Sequence, residues 1–94
     1  MIVRSISKEQ TMIKAINVVA NDDYTICVAL EDGRQIKMDM NFIKNIKGPV
    51  VDPLKNISEF KKLFIRNGIV TWPTGYDIDP YYLVEQGVEI GKTA

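Results

Sequence analysis

Two aspartates two residues apart, Asp77 and Asp79, are the side chains best suited to chemistry in this sequence. They sit in Trp72-Pro73-Thr74-Gly75-Tyr76-Asp77-Ile78-Asp79-Pro80, which also holds the only tryptophan and two of the four prolines. A carboxylate pair can serve as acid and base or hold a hard cation such as Mg²⁺ or Ca²⁺. With Trp72 and Tyr76 beside it, the pair also makes a recognition surface for a partner. The same residue types have structural uses. Asp79 before Pro80 is a helix start, because the carboxylate accepts free first-turn N–H groups and proline is tolerated at the first helical position. Asp77 can accept from turn N–H groups, and Trp72 can fill the core.

The other reactive residue types are scarce. There is no histidine, hence neither the commonest general base nor the commonest transition-metal ligand. The single cysteine, Cys27, rules out a disulfide within the chain and argues against a zinc or iron–sulfur site. Its place within a strand marks it as a small buried residue. Ser-His-Asp and Cys-His catalysis are excluded within one chain. The expectation is a protein that is not an enzyme and needs no cofactor or metal.

The elements that must position these residues are legible from periodicity. Residues 1–11 read as a polar N-terminal arm, residues 12–87 as one small domain, and residues 88–94 as a frayed tail. Met12 to Ala20 reads as a strand with Lys14, Ile16, Val18 and Ala20 on one face. Asn21-Asp22-Asp23 is a turn. Tyr24, Ile26, Val28 and Leu30 alternate inward along the next strand. Asp32-Gly33 signals a two-residue hairpin turn of type I′, and the chain returns with Ile36, Met38 and Met40 inward. The two methionines continue that period and are read as core filling rather than a soft-metal site.

After a connector at Asn41–Lys47 and a break at Gly48-Pro49, the spacing predicts a helix over Ile57–Arg66. Asn56 would cap it, Glu59 would complete a capping box, and Ile57, Phe60, Leu63 and Phe64 would form its apolar face. Asn67-Gly68 would end it. Ile69 to Trp72 reads as a strand stopped by Pro73. A second helix follows Asp79-Pro80 and stops at Gly87. The fold class expected is α+β: an antiparallel sheet of three to four strands, opening with a β-meander, and two short helices.

Length and charge set further limits. Ninety-four residues is one domain. The net charge is zero, which gives no global argument for nucleic acid or an anionic membrane. No apolar run is long enough to span a bilayer, and Met1-Ile2-Val3-Arg4-Ser5 lacks the layout of a secretory signal. A cytoplasmic location and no membrane partner are therefore expected. Charge is uneven along the chain. Residues 41–70 carry Lys44, Lys47, Lys55, Lys61, Lys62 and Arg66 against Asp52 and Glu59, whereas residues 71–94 carry Asp77, Asp79, Glu85 and Glu89 against Lys92. Opposed flanks suit an oriented partner interface or head-to-tail self-association, and they also suit two solvated faces with no partner.

One pattern spans most of the chain. A three-strand start with Asp32-Gly33 is followed by Pro53-Leu54, by Phe60, and then by Gly68-x-x-x-Trp72-Pro73-x-Gly75-x-Asp77-x-x-Pro80-x-x-Leu83. Over roughly residues 12–84 this resembles the small bacterial proteins grouped as DUF2442. The Trp-Pro-x-Gly-x-Asp signature carries most of the likeness. Members usually have Asn before that glycine, where this chain has Thr74. The resemblance implies a small α+β domain encoded beside another small protein or fused to a helix-turn-helix domain, for which no room is expected after Leu83. It assigns no catalytic residues.

Three functions follow as expectations. The first is a non-catalytic accessory module that binds another small protein, itself, or both, in a toxin–antitoxin-like or regulatory pair. It would use Trp72, Tyr76, Asp77 and Asp79. The second is a nucleic-acid-binding regulator using Lys44, Lys47, Lys55, Lys61, Lys62 and Arg66. The third is a small-ligand or cation-binding protein using Asp77 and Asp79.

Overall fold

The computed structural model describes residues 13–92. The expected arm at residues 1–11 lies outside that span. Strands β1 (Ala15–Ala20), β2 (Thr25–Leu30) and β3 (Arg34–Asp39) form the expected antiparallel meander. A 3₁₀ turn at Asn41–Asn45 and another at Asp52–Lys55 lead to a one-turn helix, α1 (Ile57–Phe60). Strands β4 (Phe64–Arg66), β5 (Ile69–Thr71) and β6 (Asp77–Ile78) follow, then α2 (Pro80–Gln86) and β7 (Val88–Lys92). There are two sheets, one ordered β1-β2-β3-β7 and one ordered β4-β5-β6.

The core lies under the inner face of the larger sheet. Ile26, Val28 and Leu30 of β2 and Ile36 and Met38 of β3 are buried there, with Tyr24 and Met40 at the strand ends. Phe60, Trp72, Leu54, Ile43, Val70 and Leu83 join them from α1, the second sheet, the turns and α2. The expected alternation in β2 and β3 is thus observed, and Met38 and Met40 are core residues. Removing side chains of this size from water supplies the driving force for folding, on the order of 1.5–3 kcal/mol each.

Five local expectations are corrected. First, a bulge between Ala15 and Asn17 turns Ala15 inward and leaves Ile16 61% exposed, so β1 does not keep one unbroken period. Second, Asp32-Gly33 is not a two-residue type I′ turn. The loop is Glu31-Asp32-Gly33, closed by Gly33 N donating to Leu30 O at 3.0 Å, and of the three only Gly33 has a positive φ. Asp32 instead accepts from the Arg34 N–H at 3.1 Å.

Third, the helix expected over Ile57–Arg66 stops at Phe60. The Phe60 carbonyl, which would accept from the N–H of Phe64 in a longer helix, is taken by the Trp72 indole at 2.7 Å. Residues Phe64–Arg66 become β4 instead. Asn56 does cap the short helix, accepting from Ser58 N at 2.9 Å, but Glu59 bonds Lys62 rather than closing a capping box. Fourth, Asn67 and Gly68 both have positive φ (52° and 81°) and form the two-residue hairpin turn between β4 and β5, not a helix end. Fifth, residues 88–92 of the expected frayed tail form strand β7, paired with β3 as the fourth strand of the larger sheet, and residues 93–94 lie outside the described span. Gly87 makes that docking possible, since a Cβ there would stand 2.5 Å from Ile36 Cγ2.

The second helix is as expected. Asp79 caps it, accepting from Tyr81 N at 2.7 Å, with Pro80 in the first turn and Gly87 at its end. Among the described residues no helix is long and apolar enough to cross a membrane.

The Trp72-anchored turn as a candidate interaction site

The β5 strand delivers Trp72 into the core, where its side chain is 1% exposed. Its ring continues a run of aromatic contacts. Tyr24 and Phe60 lie 4.5 Å apart between centroids, Phe60 and Trp72 5.8 Å, and Trp72 and Tyr76 5.5 Å. Such tilted contacts are each worth about 0.5–1.5 kcal/mol beyond area burial. Trp72 is therefore not part of a recognition surface, which corrects its place among the expected contact residues. It anchors the turn from beneath.

The chain turns back directly over this anchor. Gly75 N donates to Trp72 O at 2.9 Å and Trp72 N to Tyr76 O at 2.8 Å. Gly75 has φ 105°, a conformation that side-chain-bearing residues avoid. Thr74 Oγ1 ties the turn to the preceding loop by donating to Val50 O at 2.7 Å. The result holds Tyr76 half-buried against the indole and leaves Asp77 exposed at the start of β6, opposite Thr71. Burial raises the Tyr76 hydroxyl above its ordinary pKa, helped by Tyr82 and by the negative charge of Asp77.

The two carboxylates part company here. One Asp79 oxygen is occupied by the first turn of α2. The Asp77 carboxylate makes no hydrogen bond or ion pair among the described residues. Beside it runs a groove of about 190 Å³ whose walls include Arg66, Thr71, Pro73 and Asp77. The Arg66 guanidinium lies 5.5 Å from the centroid of the Phe64 ring.

Against known proteins, the model of the family described as protein of unknown function DUF2442 matches residues 15–89. The chain belongs to the DUF2442 family. Comparison with curated proteins and with solved structures returned no match.

The match covers β1 to the start of β7, so this DUF2442 chain carries the whole turn within the family region. Most of the motif positions have work to do inside the fold. Gly68 makes the hairpin turn and leaves room for Lys14, whose Cβ would lie 2.7 Å from a Cβ at 68. Trp72 anchors, Gly75 turns, Pro80 opens α2 and Leu83 is fully buried. The Asp77 side chain has no such role among the described residues.

The six basic residues do not form one free patch in the DUF2442 fold. Lys55 pairs with Asp52 at 3.0 Å, Lys62 with Glu59 at 2.9 Å, and Lys61 with Asp22 in the β1–β2 turn. Lys44 lies over the Tyr24 ring, 4.4 Å from its centroid. Lys47 is exposed, near enough to Asp52 to help lower its pKa after Lys55 and the Gly48 N–H have done so. Cys27, expected buried, is half-buried on the outer face of β2, where Asn21 Nδ2 approaches its Sγ at 3.8 Å. Among the described residues no group of three or more His, Cys, Asp or Glu is placed to hold a metal ion.

Two neighbours of the site escaped the sequence. Tyr82, 42% exposed on α2, influences Tyr76, and Val50, 38% exposed, meets the turn through its carbonyl. A tyrosine pair at the start of an amphipathic helix is the only signal that pointed to Tyr82. Nothing local pointed to Val50.

Proposed function

We propose that this DUF2442 chain is a non-catalytic protein-interaction module whose contact surface is the turn over Trp72. Its partner is a second small protein, in a regulatory or toxin–antitoxin-like pair. The observation that carries this reading is Asp77. It is the exposed carboxylate of the family signature, held next to a half-buried tyrosine on a turn fixed by four hydrogen bonds, and among the described residues no hydrogen bond or ion pair claims its side chain. A tyrosine and a charged group on a rigid base suit recognition, because little conformational freedom is lost on binding.

Nucleic-acid binding through Lys44, Lys47, Lys55, Lys61, Lys62 and Arg66 is the weaker reading. Three of the six already bond carboxylates, so a phosphate would have to displace them.

The test is an affinity capture from lysate of the source cell, with and without nuclease, using the full chain and a Tyr76→Ala/Asp77→Ala double variant with an unchanged melting profile. The proposal expects one protein retained by the wild-type chain regardless of nuclease and at least tenfold less retained by the variant. Equal retention by both chains would remove the turn from the interface. Recovery that vanishes with nuclease would favour the basic residues.

A further inference from the structure

The outer face of the larger sheet breaks the rule that an antiparallel sheet is polar where it faces water. The paired registers put Val19, Cys27, Lys37 and Val88 in one row across β1, β2, β3 and β7. The next row is Asn17, Ala29, Gln35 and Gly91, with Ile90 bulged beside it. Val19, Val88 and Ile90 are 53%, 66% and 52% exposed. No described element covers this face. Bulky apolar residues therefore stand on both outer strands, small ones on β2 and long polar ones on β3.

We propose that this face binds a second copy of the chain, turned about a two-fold axis that runs along the strands between β2 and β3. That operation lays β1 over β7 of the second copy and β2 over its β3. Val19 then meets Val88, Asn17 lies over Gly91 and the bulged Ile90, and the long Lys37 and Gln35 lie over the small Cys27 and Ala29, in both directions at once. A face that is its own complement is what a two-fold interface requires. The face carries one cation, Lys37, and one anion, Asp39 opposite Thr25, and Asp23, which accepts from Thr25 Oγ1 at 2.6 Å and lies near Lys37, adds a second carboxylate at that end. A net charge of one unit on the face, on a chain whose net charge is zero, does not select a strongly charged partner and sets only a small repulsion against a second copy. Six-residue strands about 4.8 Å apart give a face of roughly 15 by 20 Å. That is small beside the ~800 Å² per partner of a standard stable interface, so the pairing is reversible and concentration-dependent.

This surface is separate from the Trp72 turn, and its test does not depend on the partner proposed above. Sedimentation velocity of the full chain, from low micromolar to several hundred micromolar, should show a monomer passing to a dimer. Val19→Asp alone and Val88→Lys alone should each stay monomeric, since each sets a charge against valine twice. Mixed in equal amounts they should recover a dimer, because the introduced aspartate faces the introduced lysine while the second contact remains Val88 on Val19. Both positions are exposed, so the folds should survive. If either charge variant unfolds, a Val19→Ser/Val88→Ser double variant should weaken the dimer at least tenfold. A wild-type chain that stays monomeric throughout would overturn the proposal and leave this face to another occupant, such as residues 1–12. So would a dimer indifferent to these substitutions, or a mixture of folded charge variants that does not associate.

Discussion

The indole N–H of Trp72 donates to the carbonyl oxygen of Phe60 at 2.7 Å, and this one bond both ends α1 and seats the turn that carries Tyr76 and Asp77. A side chain from one sheet thus substitutes for the next backbone donor of a helix.

Trp72→Phe should therefore cost more than the lost apolar area alone. The Phe60 carbonyl is left buried without its donor, about 1–3 kcal/mol, and the smaller ring leaves a void that adds to the loss. Urea unfolding should show the unfolding free energy lowered by a total of roughly 2–4 kcal/mol. A loss below about 0.5 kcal/mol, the range of an ordinary surface change, would mean the bond is dispensable.

Sequence and structure agree wherever burial on one face sets the period. The inward alternation of Tyr24, Ile26, Val28 and Leu30, the return through Ile36, Met38 and Met40, and the Asp79-Pro80 helix start were all legible. What was not legible depended on contacts between distant segments. Ile57, Phe60, Leu63 and Phe64 have helical spacing, but Trp72 claims the Phe60 carbonyl and the β4–β5 hairpin claims Phe64. Asn67-Gly68 suits a helix end and a hairpin turn equally well, and only the pairing of Arg66 with Ile69 decides between them. The tail looked unstructured because Val88-Glu89-Ile90 has too few residues to show a period, and its partner β3 lies far away in sequence. At the turn, the structure leaves Tyr76 half-buried and Asp77 and Asp79 exposed, and of the two readings open for Trp72 it takes the core one, because one aromatic residue serves a core and a surface equally well.

Gly68→Ala should be poorly tolerated. Its φ of 81° is left-handed, which costs a side-chain-bearing residue roughly 1–2 kcal/mol, and the new methyl would stand 2.7 Å from Lys14 Cβ and Cγ. Gly91→Ala is the control, with no atom within 4 Å of the added carbon. It should change stability by less than about 0.5 kcal/mol or raise it slightly, because alanine is less costly than glycine in a strand. Paired thermal melts of the two variants check the contrast, and equal losses would contradict it.

Stability should fall on the alkaline side, and Tyr76 should contribute to that fall. Burial, with Tyr82 and Asp77, raises the folded pKa of its hydroxyl, so the folded state keeps a proton that the unfolded state releases near pH 10. The stabilisation is full below that unfolded value and is lost as pH rises through the folded one. Tyr24, raised by burial, acts in the same direction. Tyr76→Phe should flatten the alkaline limb of the stability curve without abolishing it, and phenolate absorbance of the wild-type chain should show a late-titrating tyrosine that the variant lacks. A limb of unchanged slope would place the effect elsewhere.

The pairing of β7 with β3 has a kinetic meaning. The meander closes through short loops, whose ends meet quickly and at little entropic cost. β7 must instead find β3 across nearly the whole intervening chain, with both turns, α1, the second sheet and α2 inside the loop it closes. Loop closure grows only slowly in cost with length, about 0.6 kcal/mol per doubling, but long-range contacts slow the search. The order of assembly is then hairpins first, aromatic core next, and β7 last. The strand that completes the outer face of the sheet is the clasp of the fold, and that face exists only once folding is finished.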